Sequence, residues 1–304
     1  MGEAGLAVPP WLIDEIRRAK KKNDPSVHNF ISDNLARYSL NTVCEGAGCP
    51  NKGGCYSRGT ATFMILGSIC TRKCAFCAVS HGRPEEADPE ESARIKEVVK
   101  TIGLKHVVVT SVTRDDLPDG GAGRFAKVIE ELHALQPAPA VEVLTPDFGG
   151  SLSSLETVLE VNPEIFSHNI ETIPRLYPTA RPGASYRRSL GLLAEAAKRA
   201  RPGTLVKTGF MLGLGEEKRE VADLIRELGD AGVTMLTIGQ YLSPSLRHHP
   251  VRRYVAAEEF KEWADLARNM GFKSVSAGAL VRSSYRAGDC YQEVLAGGAA
   301  MAVD

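Results

Sequence analysis

Apolar and polar positions along the chain follow two periods, one typical of strands and one typical of helices. Six short apolar runs rich in β-branched residues predict strands at 61–67, 106–112, 140–145, 164–170, 205–212 and 234–242. Longer amphipathic stretches predict helices at 89–103, 123–135, 151–161, 185–200, 216–231 and 257–270. Such alternation is typical of parallel strands joined by right-handed crossovers. We therefore expect an α/β fold whose six units form an open, partial (β/α)6 barrel, two units short of a closed one.

The composition argues against several classes of protein. The 304 residues include 37 basic and 37 acidic side chains, so the formal net charge is zero, which argues against a broad nucleic-acid-binding surface. No run of about 18 apolar residues is present to span a membrane, and the N-terminus lacks the layout of a secretory signal. We expect a cytoplasmic protein that binds neither nucleic acid nor membranes.

The cysteines carry the strongest chemical signal. Six of the seven form two triplets, namely Cys44, Cys49 and Cys55 with spacing C-x4-C-x5-C, and Cys70, Cys74 and Cys77 with spacing C-x3-C-x2-C. Reducing compartments disfavour disulfides, and structural zinc usually takes four ligands from paired C-x2-C arms. A [4Fe–4S] cluster has four irons, so three thiolates leave one iron for another ligand. Two adjacent triplets favour two such clusters, whereas isolated Cys290 is interpreted as a small core residue.

The two triplets occupy different places in the predicted fold. In barrels of parallel strands the chemistry collects on the loops that follow the strands. Cys70, Cys74 and Cys77 lie on the loop after the first strand. Residues 44–55 form a Gly-rich segment upstream of that strand, and we assign them to an N-terminal extension that covers one end of the barrel.

An aromatic residue, Phe76, stands before the last cysteine of the second triplet, and this pattern resembles the radical S-adenosylmethionine (SAM) enzymes. Longer segments are similar to the lipoyl synthase family within that superfamily, and the resemblance spans residues 10–290. The segments are CEGAGCPNKGGC (44–55), GTATFMILGSICTRKCAFCAV (59–79), TSVTRDDLPDGG (110–121), EVLTPDF (142–148), HNIETIPRLYP (168–178) and VRSSYRAG (281–288).

The resemblance implies a reaction and its cofactors, two [4Fe–4S] clusters and SAM. The cluster on Cys70, Cys74 and Cys77 is the catalytic one: its free iron binds the amino and carboxylate groups of SAM, and one electron cleaves SAM to a 5′-deoxyadenosyl radical. Sulfur is then inserted at C6 and C8 of an octanoyl chain that is amide-linked to a lysine of a lipoyl carrier domain. The second, auxiliary cluster is the sacrificial sulfur source.

The same resemblance implies partners. We expect octanoylated carrier domains such as the glycine cleavage H protein and the E2 subunit of 2-oxoacid dehydrogenases. We also expect an electron donor such as flavodoxin or ferredoxin, and a cluster-repair protein.

The resemblance also completes the auxiliary site and divides the chain. A serine of the RSSY motif supplies the fourth ligand beside Cys44, Cys49 and Cys55; we favour Ser284 over Ser283, although spacing does not separate adjacent serines. The alternative is that both serines cap a turn. We expect an N-terminal extension at 1–58, a radical SAM partial barrel at 59–272 and a C-terminal extension at 273–304.

Three polar residues are candidates for binding SAM. Asn169 and Glu171 end the fourth predicted strand, where alternation points both side chains to the barrel interior. Lys207 lies in KTGFMLGLGE (207–216), a Gly-punctuated strand and turn of a kind found near SAM in this superfamily. The alternatives are a structural polar pair and a solvated lysine. We interpret His168, on the opposite face, as structural.

A basic run near the N-terminus consists of Arg17, Arg18, Lys20, Lys21 and Lys22. Because lipoyl carrier domains tend to be acidic, this run could steer docking beside the auxiliary cluster. The alternative is an ordinary solvated helix face.

Other functions are compatible with iron–sulfur clusters. A tRNA methylthiotransferase also inserts sulfur with SAM, but it needs an RNA-binding surface. A biotin synthase explains neither the 44–55 triplet nor RSSY. A non-catalytic iron–sulfur carrier needs no SAM-binding residues, and a zinc scaffold needs no iron.

Overall fold

The computed structural model describes residues 6–21, 24–46 and 49–297. Seven parallel strands form one sheet in chain order. They are β1 (Thr60–Ile65), β2 (His106–Ser111), β3 (Ala140–Leu144), β4 (Ile165–Ser167), β5 (Leu205–Leu212), β6 (Met235–Gln240) and β7 (Ser274–Gly278). Only β1 and β7 have a single neighbour each, so the sheet is an open, partial barrel and the predicted fold class is confirmed.

The strand count differs from the prediction. All six predicted strands are present, but β7 pairs with β6 in a range that the sequence assigned to the C-terminal extension. Its sequence, SVSAG, has no apolar run because Ser274, Ser276 and Gly278 share a register with the inward-facing Met235, Thr237 and Gly239 of β6. A strand with one small, polar face lacks the signal by which buried parallel strands are recognised.

Helices follow the strands. They comprise α5 (Glu91–Ile102), α6 (Ala122–His133), α7 (Leu152–Glu160), the short α8 (Tyr177–Ala180), α9 (Tyr186–Arg199), α10 (Lys218–Asp230) and α11 (Ala257–Asn269). The longer ones bury one apolar stripe each, as in α10, where Val221, Leu224, Ile225 and Leu228 are buried. No helix in the described ranges is long and apolar enough to cross a membrane.

In the described part of the N-terminal region, four helices pack at the β1 edge of the sheet. These are α1 (Pro10–Lys21), α2 (Pro25–Arg37), α3 (Val43–Gly46) and α4 (Lys52–Tyr56). The Met64 amide donates a hydrogen bond to Asn41 O at 2.9 Å, which fixes the segment before α3 against β1. The helices α3 and α4 therefore hold Cys44 and Cys55 beside the barrel wall.

The last helix, α12 (Ala287–Leu295), covers the end of the barrel where the strands begin. Its Cys290 lies in a small apolar cluster with Ile165, Leu205 and Met235, the first residues of β4, β5 and β6. Cys290 is thus a core residue, as the sequence predicted. The opposite end, where the strands finish, carries the polar residues described next.

Candidate functional site

The second cysteine triplet lies on a loop that folds back on itself after β1. The Cys70 amide donates to Ser80 O at 2.8 Å, and the Gly82 amide donates to Cys70 O at 3.0 Å. Cys70, Cys74 and Cys77 are all half-buried. Burial raises the pKa of the Cys77 thiol to about 11, so a positive partner such as a metal is needed to hold it as a thiolate at neutral pH.

Arg72, between the first two cysteines of this loop, anchors it to two neighbouring strand ends. Its guanidinium donates to both carboxylate oxygens of Asp115 at 2.8 and 2.7 Å, and to both of Asp147 at 2.9 and 2.6 Å. Burial alone would raise the pKa of the fully buried Asp147, but the hydrogen bonds and charge of Arg72, together with Arg188, hold it below its usual value. The cysteine loop is therefore fastened to the loops after β2 and β3.

The loop after β6 supports the triplet from the other side. The His249 amide donates to Ala75 O at 2.8 Å, and His248 Nε2 lies 3.2 Å from Cys77 O. Both contacts are made to backbone atoms of the cysteine loop, so they fix its path and leave the thiols free to bind a ligand.

Asn169 and Glu171 lie together after β4, at the mouth of the barrel. Asn169 Nδ2 donates to Glu171 Oε1 at 3.1 Å and to Ser283 Oγ at 2.7 Å. Asn169 Oδ1 is buried, and no group in the described residues donates to it. Burial raises the pKa of Glu171, and this effect outweighs the positive charge of Arg181, which lowers it. The pair thus presents a buried amide oxygen without a donor among the described residues, beside a carboxylate that accepts from the same amide.

Arg181 is a site residue that the sequence did not reveal. Its Nη1 donates to Asn169 O at 3.0 Å and to the Tyr177 hydroxyl at 3.2 Å. The guanidinium also lies beside Cys74, where burial raises the thiol pKa and the arginine lowers it. The nearby His168 is buried with Nδ1 2.8 Å from Thr145 O and Nε2 2.9 Å from Ser189 Oγ, as its predicted structural role requires.

Lys207 lies deeper in the barrel. Its Nζ donates to Glu142 Oε1 at 2.7 Å, and the side chains are 2% and 1% exposed. Because β3 and β5 are separated by β4, this pair forms on the inward face of the curved sheet. The ammonium already has a carboxylate partner, and its role in binding SAM stays a prediction.

The first cysteine triplet surrounds a second site. Among the described residues, a small, partly open cavity is lined by Cys44, Cys49, Asn51, Lys52, Cys55, Thr60, Thr62, Arg282, Ser284 and Tyr285. Asn51 Nδ2 donates to Leu280 O at 2.6 Å, which ties the N-terminal segment to the chain that follows β7. Ser284 is therefore in contact with the cavity of the cysteines, whereas Ser283 is bonded to Asn169.

Neither triplet forms a site for one metal ion. No group of three or more His, Cys, Asp or Glu side chains in the ranges 6–21, 24–46 and 49–297 is arranged to hold a single ion. Such convergence is not required by a [4Fe–4S] cluster, because each cysteine binds a different iron at a separate corner of the cube.

Comparison with known proteins identifies the class. The sequence profile of the radical SAM superfamily matches residues 64–228. Among solved structures, the FeFe-hydrogenase maturase HydG from Carboxydothermus hydrogenoformans superposes with a TM-score of 0.58 at 14% identity, covering 95% of this chain and 73% of that one. Methylornithine synthase gives 0.51 at 13% identity, covering 95% and 94%. The fold and the profile define a radical SAM protein.

Similar sequences identify the family. A lipoyl synthase from Rubrobacter xylanophilus is 50% identical over 279 residues, which is 92% of this chain and 85% of that relative. One from Caldanaerobacter subterraneus subsp. tengcongensis is 53% identical over 253 residues, 83% of this chain and 88% of the relative. The chain belongs to the lipoyl synthase family, and the predicted family and enzyme class are confirmed.

Proposed function

We propose that this chain inserts two sulfur atoms, at C6 and C8, into the octanoyl chain on a lysine of a carrier domain, with the auxiliary cluster as the sulfur donor. As a radical SAM enzyme of the lipoyl synthase family, it uses SAM and [4Fe–4S] clusters. The observation that carries the residue assignments is that one cysteine triplet follows the end of β1, while the other lines a cavity beside Thr60 and Thr62 near its start. The hydrogen bond between Asn169 and Ser283, the neighbour of Ser284, connects the two sites. The predicted alternatives, a tRNA methylthiotransferase and an iron–sulfur carrier, are not favoured.

Cys70, Cys74 and Cys77 are assigned to the cluster that binds SAM. When bound, this cluster and SAM supply the carbon radical that removes hydrogen from an unactivated carbon. The donor set fits, because three thiols leave one iron free. The unpartnered Asn169 Oδ1 and the Glu171 carboxylate, which accepts from Asn169 Nδ2, suit the ammonium and hydroxyl donors of SAM. Arg181 balances the charge of Glu171 beside Cys74.

Cys44, Cys49, Cys55 and Ser284 are assigned to the auxiliary cluster. The assignment of Ser284 over Ser283 is supported by its place in the cavity lining and by the hydrogen bond that engages Ser283 elsewhere. An oxygen ligand matches iron less well than a thiolate does. Ser284 would thus be the ligand of the auxiliary cluster that is released most readily when sulfur is donated.

Ser284→Ala should change the Mössbauer spectrum of the auxiliary cluster and lower the lipoyl product by at least roughly tenfold, the smaller end of the effects seen when support of a metal site is removed. The matched control, Ser283→Ala, should leave that spectrum unchanged. An altered auxiliary spectrum in Ser283→Ala alone would transfer the ligand assignment to Ser283.

The basic helix α1 is proposed as the docking surface for an acidic carrier domain. Arg17, Arg18, Lys20 and Lys21 are exposed, and Lys22 lies outside the described residues. Lys20 borders a cleft of about 300 Å³ that is also lined by Cys44, Cys49 and Lys52. An octanoyl-lysine entering here would approach the auxiliary cysteines. The electron donor and the cluster-repair protein are further proposed partners, and the cytoplasm is the proposed compartment.

Reversing the charge of Arg17, Arg18, Lys20 and Lys21 to glutamate should slow association with an octanoylated carrier by roughly tenfold at low salt, since electrostatic steering is of this order. Turnover of a short octanoyl-lysine peptide should not change. The control reverses Lys100 and Lys105, two exposed lysines near the start of β2. Equal slowing by both sets of substitutions, or none by the α1 set, would remove α1 as the docking surface.

The function itself is tested anaerobically with protein whose cluster sulfide carries a heavy isotope. With reductant, SAM and an octanoyl-lysine peptide, mass spectrometry should show two heavy sulfur atoms in the peptide together with 5′-deoxyadenosine. Formation of 5′-deoxyadenosine without sulfur in the peptide would show that the protein cleaves SAM but that the octanoyl chain is not its substrate. Neither product, from protein loaded with both clusters, would overturn the proposal.

A further inference from the structure

A chain of covalently linked and hydrogen-bonded neighbours connects the two cysteine sites. It begins at Ser284 in the auxiliary cavity and continues through its neighbour Ser283, which accepts from Asn169 Nδ2 at 2.7 Å. It ends at Arg181, which donates to Asn169 O at 3.0 Å and lies beside Cys74. No part of the function described above requires this connection.

The segment that carries both serines rests directly on the barrel backbone. A Cβ atom at Gly209 of β5 would lie 2.4 Å from Thr237 Oγ1, 3.1 Å from Asn169 Oδ1 and 3.4 Å from Ser283 Oγ. At Gly239 of β6 it would lie 2.3 Å from Val281 O. Only glycine permits the approach of Val281 O to β6 at Gly239. Since Ser283 of the same segment is bonded to Asn169, a movement of the segment changes the surroundings of Asn169 directly.

The orientation of the Asn169 amide depends on Ser283. The Nδ2 group has two hydrogens, and both are used, one by Glu171 and one by Ser283. These bonds leave Oδ1 as the free acceptor. Without the Ser283 hydroxyl, one of the two bonds that fix the amide is lost, and a half-turn about its terminal torsion would present a donor in place of the acceptor.

We propose that Ser283 is a positioning residue that couples the two sites. It holds Asn169 Oδ1 toward SAM while Ser284 is held at the auxiliary site. The inference rests on the proposed function. Because coupling between binding sites is reciprocal, loading the auxiliary site raises the affinity for SAM, and SAM favours the loaded auxiliary site by the same factor. An enzyme that has spent its auxiliary sulfur therefore binds SAM more weakly and wastes less of it.

The test measures the dissociation constant of SAM by anaerobic equilibrium dialysis, with and without the auxiliary cluster. The auxiliary site is removed by the triple substitution Cys44→Ala, Cys49→Ala and Cys55→Ala, and the first cluster is verified by Mössbauer spectroscopy. The protein with both clusters should bind SAM at least about fivefold more tightly than the triple cysteine variant. A factor of about five is the lower end of the range typical of coupling between two sites. In a Ser283→Ala background the ratio should fall to about one.

The coupling would be contradicted if the ratio of the two SAM dissociation constants did not change in Ser283→Ala. It would also be contradicted if that ratio were one when Ser283 is present. Absence of SAM binding to protein with both clusters would instead contradict the proposed function. Asn169→Ala removes the same hydrogen bond from its other end and should also abolish the ratio, which keeps the test decisive if Ser283→Ala does not fold. Ser276→Ala, which removes an inward-facing hydroxyl of β7 outside this path, should preserve it.

Discussion

Arg72→Ala should lower the free energy of unfolding of the cluster-free protein by about 3–5 kcal/mol, the cost of removing one partner from a buried ion pair. Only 7% of the Arg72 side chain is exposed, and Asp147 is 0% exposed. Arg188 also donates to Asp147, at 2.9 Å, but it cannot replace the two bonds that Arg72 makes to that carboxylate. The substitution therefore leaves a buried carboxylate with too little positive charge.

The consequence for the site follows from the position of Arg72 within the cysteine loop. Without this arginine, the loop loses its ion pairs with Asp115 and Asp147, and with them its link to the end of β3. Among the described residues, only the hydrogen bonds of Thr71 to Thr113 O and Asp115 still hold it to the end of β2. We expect the amount of iron bound by Cys70, Cys74 and Cys77 to fall together with the free energy of unfolding. Arg72→Lys should recover only part of either loss, because one ammonium cannot form two bidentate pairs.

Urea denaturation and iron analysis of the reconstituted protein check both expectations. The matched control is Arg175→Ala, which removes an equally bidentate pair with Glu220 from a position where the arginine side chain is 53% exposed. Its cost should be below about 1 kcal/mol, as for other surface ion pairs. If the two substitutions lowered the free energy of unfolding equally, the buried pair of Arg72 and Asp147 would not be what anchors the loop.

The sequence was informative wherever the signal is local. Runs of β-branched residues located six strands within a few residues, and the spacing of the cysteines located both candidate cluster sites. The strand β7 was missed because its inward face is made of small and polar residues. The motif RSSY contributes Ser284 to the lining of the cavity that the first cysteine triplet also lines, and its role as a ligand stays a prediction.

Contacts between distant residues could not be predicted in this way. Arg72 and Asp147 are 75 positions apart, and Asn169 and Ser283 are 114 apart. Arg181 is one arginine among many in the sequence, and only the folding of α8 beside the cysteine loop gives it a role. Each of these contacts depends on which strand ends lie together in the curved sheet, and spacing along the chain does not encode that.

Lys207 illustrates the same limit, because its glycine-rich surroundings suggest a ligand contact while its partner is Glu142, two strands away. Lys207→Met should lower the free energy of unfolding by about 3–5 kcal/mol at neutral pH, since it leaves Glu142 buried and charged. Burial alone raises the pKa of Glu142, but Lys207 and His106 hold it below its usual value. The pair therefore stabilises the protein above the ordinary carboxyl pKa and loses this effect as the pH falls through the lowered value.

In Lys207→Met the dependence of the free energy of unfolding on pH should have the opposite sign. Glu142 keeps only His106, whose Nε2 lies 3.6 Å from Glu142 Oε2, and burial should then raise its pKa above the unfolded value. The stability of the variant should therefore fall as the pH rises from about 5 to 8. Urea denaturation at both pH values checks this. A destabilisation independent of pH would mean that Glu142 is not the group left without a partner.

A double variant separates the structural role of Lys207 from cofactor binding. Lys207→Met with Glu142→Met removes both charges and should recover stability to within roughly 1–2 kcal/mol of the unsubstituted protein, because an apolar pair of similar volume can replace a buried ion pair. If Lys207 only supports the barrel, this folded double variant binds SAM with unchanged affinity in anaerobic dialysis. If it folds with both clusters and loses SAM, Lys207 contacts the cofactor as the family resemblance implies, and its pairing with Glu142 positions the ammonium for that contact.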